Sequence, residues 1–189
     1  MNKLSELNGA NEERAFLLLV PLIERAPEIA RSVAARRPFK NADELCQVIR
    51  SELLDLNEAA RISLFKVHPE LAPESPLSMT SESQSEQAQL NLTSDKNEYR
   101  TRLDELNAQY RDKFGFPFIT ALVRHQDMRS VLMEFEARLM ADRYSEIEMA
   151  LNQIALVSSS RVNKAFGCTS SDRSEDSTTH RQAGREHGS

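Results

Sequence analysis

The chain has 189 residues, 40% of them hydrophobic, and a formal net charge of −5. This length suits one compact domain with a tail, and the apolar fraction excludes general disorder. The acidic balance, with Lys and Arg interleaved among Asp and Glu, argues against a nucleic-acid partner, whose phosphates require clustered cations.

The hydrophobic period is helical almost throughout, and no segment shows the alternation of a strand. The pattern predicts an all-α fold, a single-domain compact helical bundle over residues 1–166 with a disordered C-terminal tail over 167–189. Asn11 is placed to cap a first helix through Phe16, Leu17 and Val20, broken near Pro21. A second helical segment runs from Leu22 to about Ala35 and ends before Arg37-Pro38-Phe39. Asn41, with Glu44 three residues on, reads as the start of a helix whose inner face carries Leu45, Val48, Ile49 and Leu53. Asn57 opens a short helix through Ile62 and Phe65 that must stop near His68, because Pro69 disfavours helix at the residue before it. Pro69 to Thr80 reads as a loop, and Ser83 as the start of a short helix carrying Glu86 and Gln87. The strongest stripe, Tyr99, Leu103, Leu106 and Tyr110, predicts a helix from about Asp95 to Phe114, with Gly115 as its C-terminal cap. Further helices are predicted from Asp127 to Leu139 through Val131, Leu132 and Phe135, and from about Ser145 to Phe166 with Ile147, Ala150, Ile154 and Val157 inward. After Phe166 the composition turns to Ser, Thr, Arg, Asp and His, which cannot offset the entropy of ordering.

No apolar run is long enough to span a bilayer, the N-terminus lacks the order of a signal peptide, and a cytoplasmic protein without a membrane partner is expected. Cys46 and Cys168 cannot make a disulfide framework, and neither has a Cys or His at metal-ligand spacing, so no metal site is predicted. Cys46 reads as a small core residue.

Three features stand out from a purely structural bundle. His68, at a helix end before a proline-rich loop, is either a proton-transfer group or a C-terminal cation for the helix dipole. Ser83 and Glu86 have capping-box spacing, but Gln87 lies outside that explanation, and a first helical turn of this kind also suits an anionic group. Arg161 falls on the buried stripe of the last helix, fourteen residues after Ile147 and seven after Ile154. There it must be ion-paired, snorkel outward, or bind a ligand carboxylate or carbonyl. The segment Lys113 to Ile119, with Phe114, Phe116 and Phe118 between Gly115 and Pro117, is equally a ligand-facing turn and a hydrophobic plug.

Five pieces in register resemble the family of OHCU (2-oxo-4-hydroxy-4-carboxy-5-ureidoimidazoline) decarboxylases. They are Arg37-Pro38-Phe39, His68-Pro69-Glu70-Leu71-Ala72, Glu82 to Gln87, Leu106-Asn107-Ala108-Gln109-Tyr110, and Lys113 to Ile119, and the resemblance spans roughly residues 4–165. It implies a helical, cofactor-free enzyme of urate degradation, usually a homodimer, that decarboxylates a small-molecule substrate to (S)-allantoin. It further implies catalytic roles for His68 and Glu86, and substrate contacts from Pro69, Ser83, Gln87, Phe118, Ile119 and Arg161. The chain departs from the family pattern at Pro73-Glu74, where a glycine usually follows the His-Pro motif, and at Val123, where a basic residue is common. A non-catalytic helical interaction module that keeps the fold is the alternative.

Overall fold

In the computed structural model, which describes residues 3–92 and 98–167, nine α-helices and three short 3-10 turns make up the regular structure of those residues. The helices are α1 (Lys3–Gly9), α2 (Glu12–Leu19), α3 (Pro27–Ala35), α4 (Ala42–Leu54), α5 (Glu58–Lys66), α6 (Ser81–Ala88), α7 (Arg100–Phe114), α8 (Met128–Leu139) and α9 (Arg143–Phe166). The expected start of α7 near Asp95 and the expected tail after Gly167 lie outside the described residues, as does Cys168. Cys46 is half-buried against the core.

Four of the predicted helix starts are capped as their residue types dictate. The side chains of Asn11, Asn41, Asn57 and Asp127 accept from the backbone N–H of Arg14, Glu44, Ala60 and Ser130, each at 2.9 Å. Each such cap contributes about 1 kcal/mol. Gly115 closes α7 in the left-handed conformation, φ 79°, and its N–H donates to Arg111 O. Besides α6, which starts at Ser81 rather than Ser83, and α7, which begins at Arg100 after a turn at residues 98–99, three boundaries differ from expectation. Lys3–Gly9 is helical although its stripe is only Leu4 and Leu7. The last helix begins two residues before Ser145, because Asp142 is its cap.

The third difference has consequences for function. The predicted helix from Leu22 begins instead at Pro27, which occupies the first helical turn, where its missing N–H costs nothing. Residues 20–26 are irregular, with a 3-10 turn at Val20–Leu22 and a left-handed Arg25, φ 49°. This break turns the Glu24 carboxylate inward.

The most extensive helix pairing is α4 against α9, with Leu45, Ile49 and Leu53 of α4 and Ile147, Leu151 and Ile154 of α9 all buried. A second packed region is aromatic. Tyr110 sits at its centre, with Phe114, Phe116, Phe118 and Phe135 at centroid distances of 4.6–6.0 Å. The three Phe rings of the aromatic turn after α7 are all buried in this region. The Arg37-Pro38-Phe39 piece is structural too. Arg37 donates to the carbonyls of Leu7, Ala10 and Ala34, and Asn8 exchanges two hydrogen bonds with the Phe39 backbone. Among the described residues no helix is long and apolar enough to cross a membrane.

Candidate active site

The C-terminal end of α5, the loop after it, α6, residues 118–122 and the inner face of α9 enclose a small pocket of about 60 Å³ that opens to solvent. Its lining includes all eight residues singled out above: His68, Pro69, Ser83, Glu86, Gln87, Phe118, Ile119 and Arg161.

His68 lies just past the end of α5, and its ring Nδ1 is 2.8 Å from Leu64 O, the carbonyl one turn back. A carbonyl can only accept, so Nδ1 carries the proton and Nε2 is left with its lone pair. Burial pushes the His68 pKa below the usual imidazole value, against the opposing pull of the Leu64 carbonyl and the Glu24 charge. The ring is thus a neutral imidazole that satisfies a helix-end carbonyl with one nitrogen and offers a base with the other. The dipole reading, which needs the cation, is not the one this environment favours.

The cap of α6 corrects the expectation for Ser83. Thr80 is the cap: its hydroxyl oxygen accepts from Ser83 N–H at 3.3 Å and donates to both oxygens of Glu24, at 2.9 and 3.0 Å. Ser83 therefore lies inside the helix rather than at its start, and Ser83 and Glu86 are not a capping box. Positions 83, 86 and 87 share the face turned to the pocket, as their i, i+3, i+4 spacing requires. Gln87 is buried, and its amide is committed at both ends: Nε2 donates to Glu70 O and Oε1 accepts from Ala72 N–H, each at 2.8 Å. Asn107 adds a bond from Nδ2 to Leu71 O at 3.0 Å. These bonds clamp the segment after His68 and hold Ala72 in the left-handed region, φ 50°, immediately before Pro73.

Arg161 is 8% exposed and ion-paired. Nε and Nη2 donate to the two oxygens of Glu86 at 2.8 and 2.9 Å, a two-point pairing. Nη1 donates to Glu24 at 2.9 Å and to Pro21 O at 3.2 Å, and Nη2 reaches Ser83 Oγ at 3.4 Å. All five N–H donors of the guanidinium thus have protein acceptors. Burial pushes the Glu24 carboxyl up, but Arg161 and the hydroxyls of Thr80 and Ser83 outweigh it and hold Glu24 below the usual carboxylate range. Burial likewise opposes the Arg161 charge, and Glu86 and Glu24 more than restore it.

The opposite wall is fixed from behind. Phe118 stacks on Phe135 with centroids 3.9 Å apart, and the Arg138 guanidinium lies 4.6 Å from its centroid. Arg138 Nη1 donates to Ile119 O at 2.7 Å, and Ala121 N–H donates to Gln153 Oε1 at 3.0 Å. Arg138 is itself paired with Glu146, which also accepts from the Tyr110 hydroxyl. A wider cavity shares Glu86, Leu122, Val157 and Arg161 with the pocket and is rimmed by Lys3, Lys164 and the exposed Val123. Among the described residues no group of three or more His, Cys, Asp or Glu side chains is placed to hold a metal.

Three polar pocket residues were not foreseen: Glu24, Thr120 and Ser158. Glu24 carries no periodic signal, because it lies between helices. Ser158 does carry one. It sits four residues after Ile154 and three before Arg161, a polar side chain on a buried stripe.

A model of the OHCU decarboxylase family matches residues 8–163. The chain is 35% identical over 151 residues to the 2-oxo-4-hydroxy-4-carboxy-5-ureidoimidazoline decarboxylase of Mus musculus, covering 79% of this chain and 84% of that protein. It is 30% identical over 161 residues to the protein of the same name from Halalkalicoccus jeotgali, covering 85% and 90%. Among solved structures it resembles an (S)-allantoin synthase, with a TM-score of 0.67 and 20% identity, over 88% of this chain and 54% of that one. It also resembles an OHCU decarboxylase crystallised in the presence of (S)-allantoin, with a TM-score of 0.62 and 22% identity, over 77% and 94%. At these identities the two structures establish the shared fold.

Proposed function

The chain belongs to the OHCU decarboxylase family, and on that premise we propose how its pocket carries out the reaction. It is a carboxy-lyase of urate degradation, acting on 2-oxo-4-hydroxy-4-carboxy-5-ureidoimidazoline and releasing carbon dioxide and (S)-allantoin. The observation that carries the site assignment is the convergence of four separate chain segments on a neutral imidazole with a free Nε2.

The bond from C4 to the carboxylate breaks, carbon dioxide leaves, and the electron pair forms a double bond to C5, the carbon bearing the ureido group. The ring imine electrons move onto nitrogen, which takes one proton from solvent. The resulting enol becomes allantoin when the 4-hydroxyl gives up its proton and a proton adds to one face of C5. His68 Nε2 takes the hydroxyl proton and delivers a proton to that face. Glu86, immobilised by Arg161, orients the hydroxyl beside His68. Phe118, Pro69 and Ile119 wall the ring, and Gln87 keeps the loop bearing His68 and Pro69 in place. Arg161 reaches the substrate by releasing its two longest bonds, to Pro21 O and Ser83 Oγ. Much of the rate on this reading comes from orientation in a site built before substrate arrives. Homodimer formation, which rests on the family resemblance, and a cytoplasmic setting, which rests on the sequence pattern, are further parts of the reading.

Two outcomes test it. Freshly generated substrate should give allantoin with a circular-dichroism signal, whereas spontaneous decay gives a racemate; no chiral excess over the uncatalysed control overturns the assignment. Because burial depresses the His68 pKa, the base form persists to lower pH than in a free imidazole. The acid limb of kcat/KM should therefore fall at a pH below the ordinary histidine value of 6.5. A limb centred at or above that value would take His68 out of the base role.

A further inference from the structure

A substrate made of two urea-type units presents several carbonyl oxygens, and each needs a donor once it leaves water. Most donors in the pocket are committed. Arg161 has five protein acceptors and must release two of them to reach substrate, the Gln87 amide is held at both ends, His68 gives its Nδ1 proton to Leu64 O, and Thr120 Oγ1 donates to Glu134 at 3.2 Å. Ser158 differs. It lines the pocket, is 1% exposed, and its Oγ has no hydrogen-bond partner among the described residues. A helical serine can bond the carbonyl four residues back, and its neighbour does so, with Ser159 Oγ donating to Ala155 O at 2.9 Å. Ser158 makes no such bond to Ile154 O. A buried hydroxyl left unsatisfied is unfavourable for the fold, which is a mark of a group kept for a ligand.

We propose that Ser158 Oγ donates a hydrogen bond to a urea-type carbonyl oxygen of the substrate, making it a specificity-determining contact one helical turn from Arg161. This rests on the decarboxylase reading and deepens it. A neutral hydrogen bond of this kind corresponds to about a tenfold change in affinity. Ser158→Ala should lower kcat/KM by about tenfold, chiefly through KM, with a melting temperature equal to or above that of the parent because an unsatisfied hydroxyl has been removed. Calorimetric titration with (S)-allantoin should show the same tenfold loss. Hydantoin, which lacks the ureido arm, separates the two carbonyls: affinity lost for both ligands places the contact on the ring, and affinity lost for allantoin alone places it on the ureido group. Ser159→Ala, whose hydroxyl is already bonded within the helix, should leave both affinities unchanged. A Ser158→Ala protein with kcat/KM and both affinities within twofold of the parent overturns the contact. If the parent itself yields no chiral excess, the decarboxylase reading fails first and this proposal falls with it.

Discussion

Replacing His68 by Asn is expected to lower kcat by roughly 10²–10⁴-fold, the usual contribution of a positioned acid–base group. The fold should survive. An Asn side chain still has an N–H to offer Leu64 O, the bond that ties the ring to the end of α5, and the clamp from Gln87 to Glu70 and Ala72 does not involve residue 68. Asn lacks a titratable lone pair in the pocket and so cannot take the 4-hydroxyl proton. Steady-state kinetics on the variant, with far-ultraviolet circular dichroism to confirm helix content, is the measurement. Retention of more than about a tenth of the parent kcat, well above the range for a lost acid–base group, would mean that another residue moves the proton.

The helices of this chain were largely legible because their signals are local. Asn11, Asn41, Asn57 and Asp127 cap where a short polar side chain precedes an apolar period, and Gly115 ends α7 in the conformation glycine favours. The errors came where local signals competed or were thin. Thr80 and Ser83 are both good caps, and the choice falls to Thr80, whose hydroxyl is also bonded to Glu24, fifty-six positions earlier in the chain. Pro21 and Pro27 allow more than one helix break, and periodicity across Leu22–Ala35 could not say which proline starts the helix. The short α1 has too few apolar positions to show a period.

The site was legible to a smaller degree. Physical reasoning from sequence reached Arg161, because a guanidinium on a buried stripe has to be explained, and Gln87, which helix capping does not account for, while His68 stayed open between proton transfer and a helix-end role. The resemblance to a family, rather than spacing, joined them to Pro69, Phe118 and Ile119. Glu24 was invisible because its meaning lies in a pairing with Arg161 across 137 positions, which no window along the chain can contain. Gln87 shows the converse. Its place in the pocket was foreseen, but its bonds to Glu70 O and Ala72 N–H assign it to holding the loop, a distinction that only the geometry of the loop supplies.

Replacing Arg161 by Met should be the most destabilising single change in the site. The side chains have similar length, so packing is largely kept, but Glu24, 4% exposed, and the half-buried Glu86 lose their shared cation. Removing one partner of a buried ion pair typically costs about 3–5 kcal/mol, since the remaining charge is left uncompensated. For a domain of this size that corresponds to a fall in melting temperature of roughly 6–20 °C. The pH dependence identifies the cause. In the parent, Glu24 titrates below its unfolded value of 4.5, so its pairing stabilises the fold above that value and is lost as pH falls through the lower folded pKa. In the variant the Thr80 and Ser83 hydroxyls remain but the cation is gone, and burial, the largest single influence on Glu24, drives the folded pKa upward. The penalty is then full at neutral pH and disappears as the carboxyl takes up a proton on acidification. Melting curves at pH 7 and near pH 4 should therefore show the gap between parent and variant closing. The Arg161→Met, Glu24→Gln double variant should recover part of the loss at neutral pH, because the two residues share one interaction. A gap that stays constant with pH, together with additive effects of the two substitutions, would trace the loss to packing and remove the ion pair as the element that holds α6, α9 and the Pro21–Glu24 turn around the pocket.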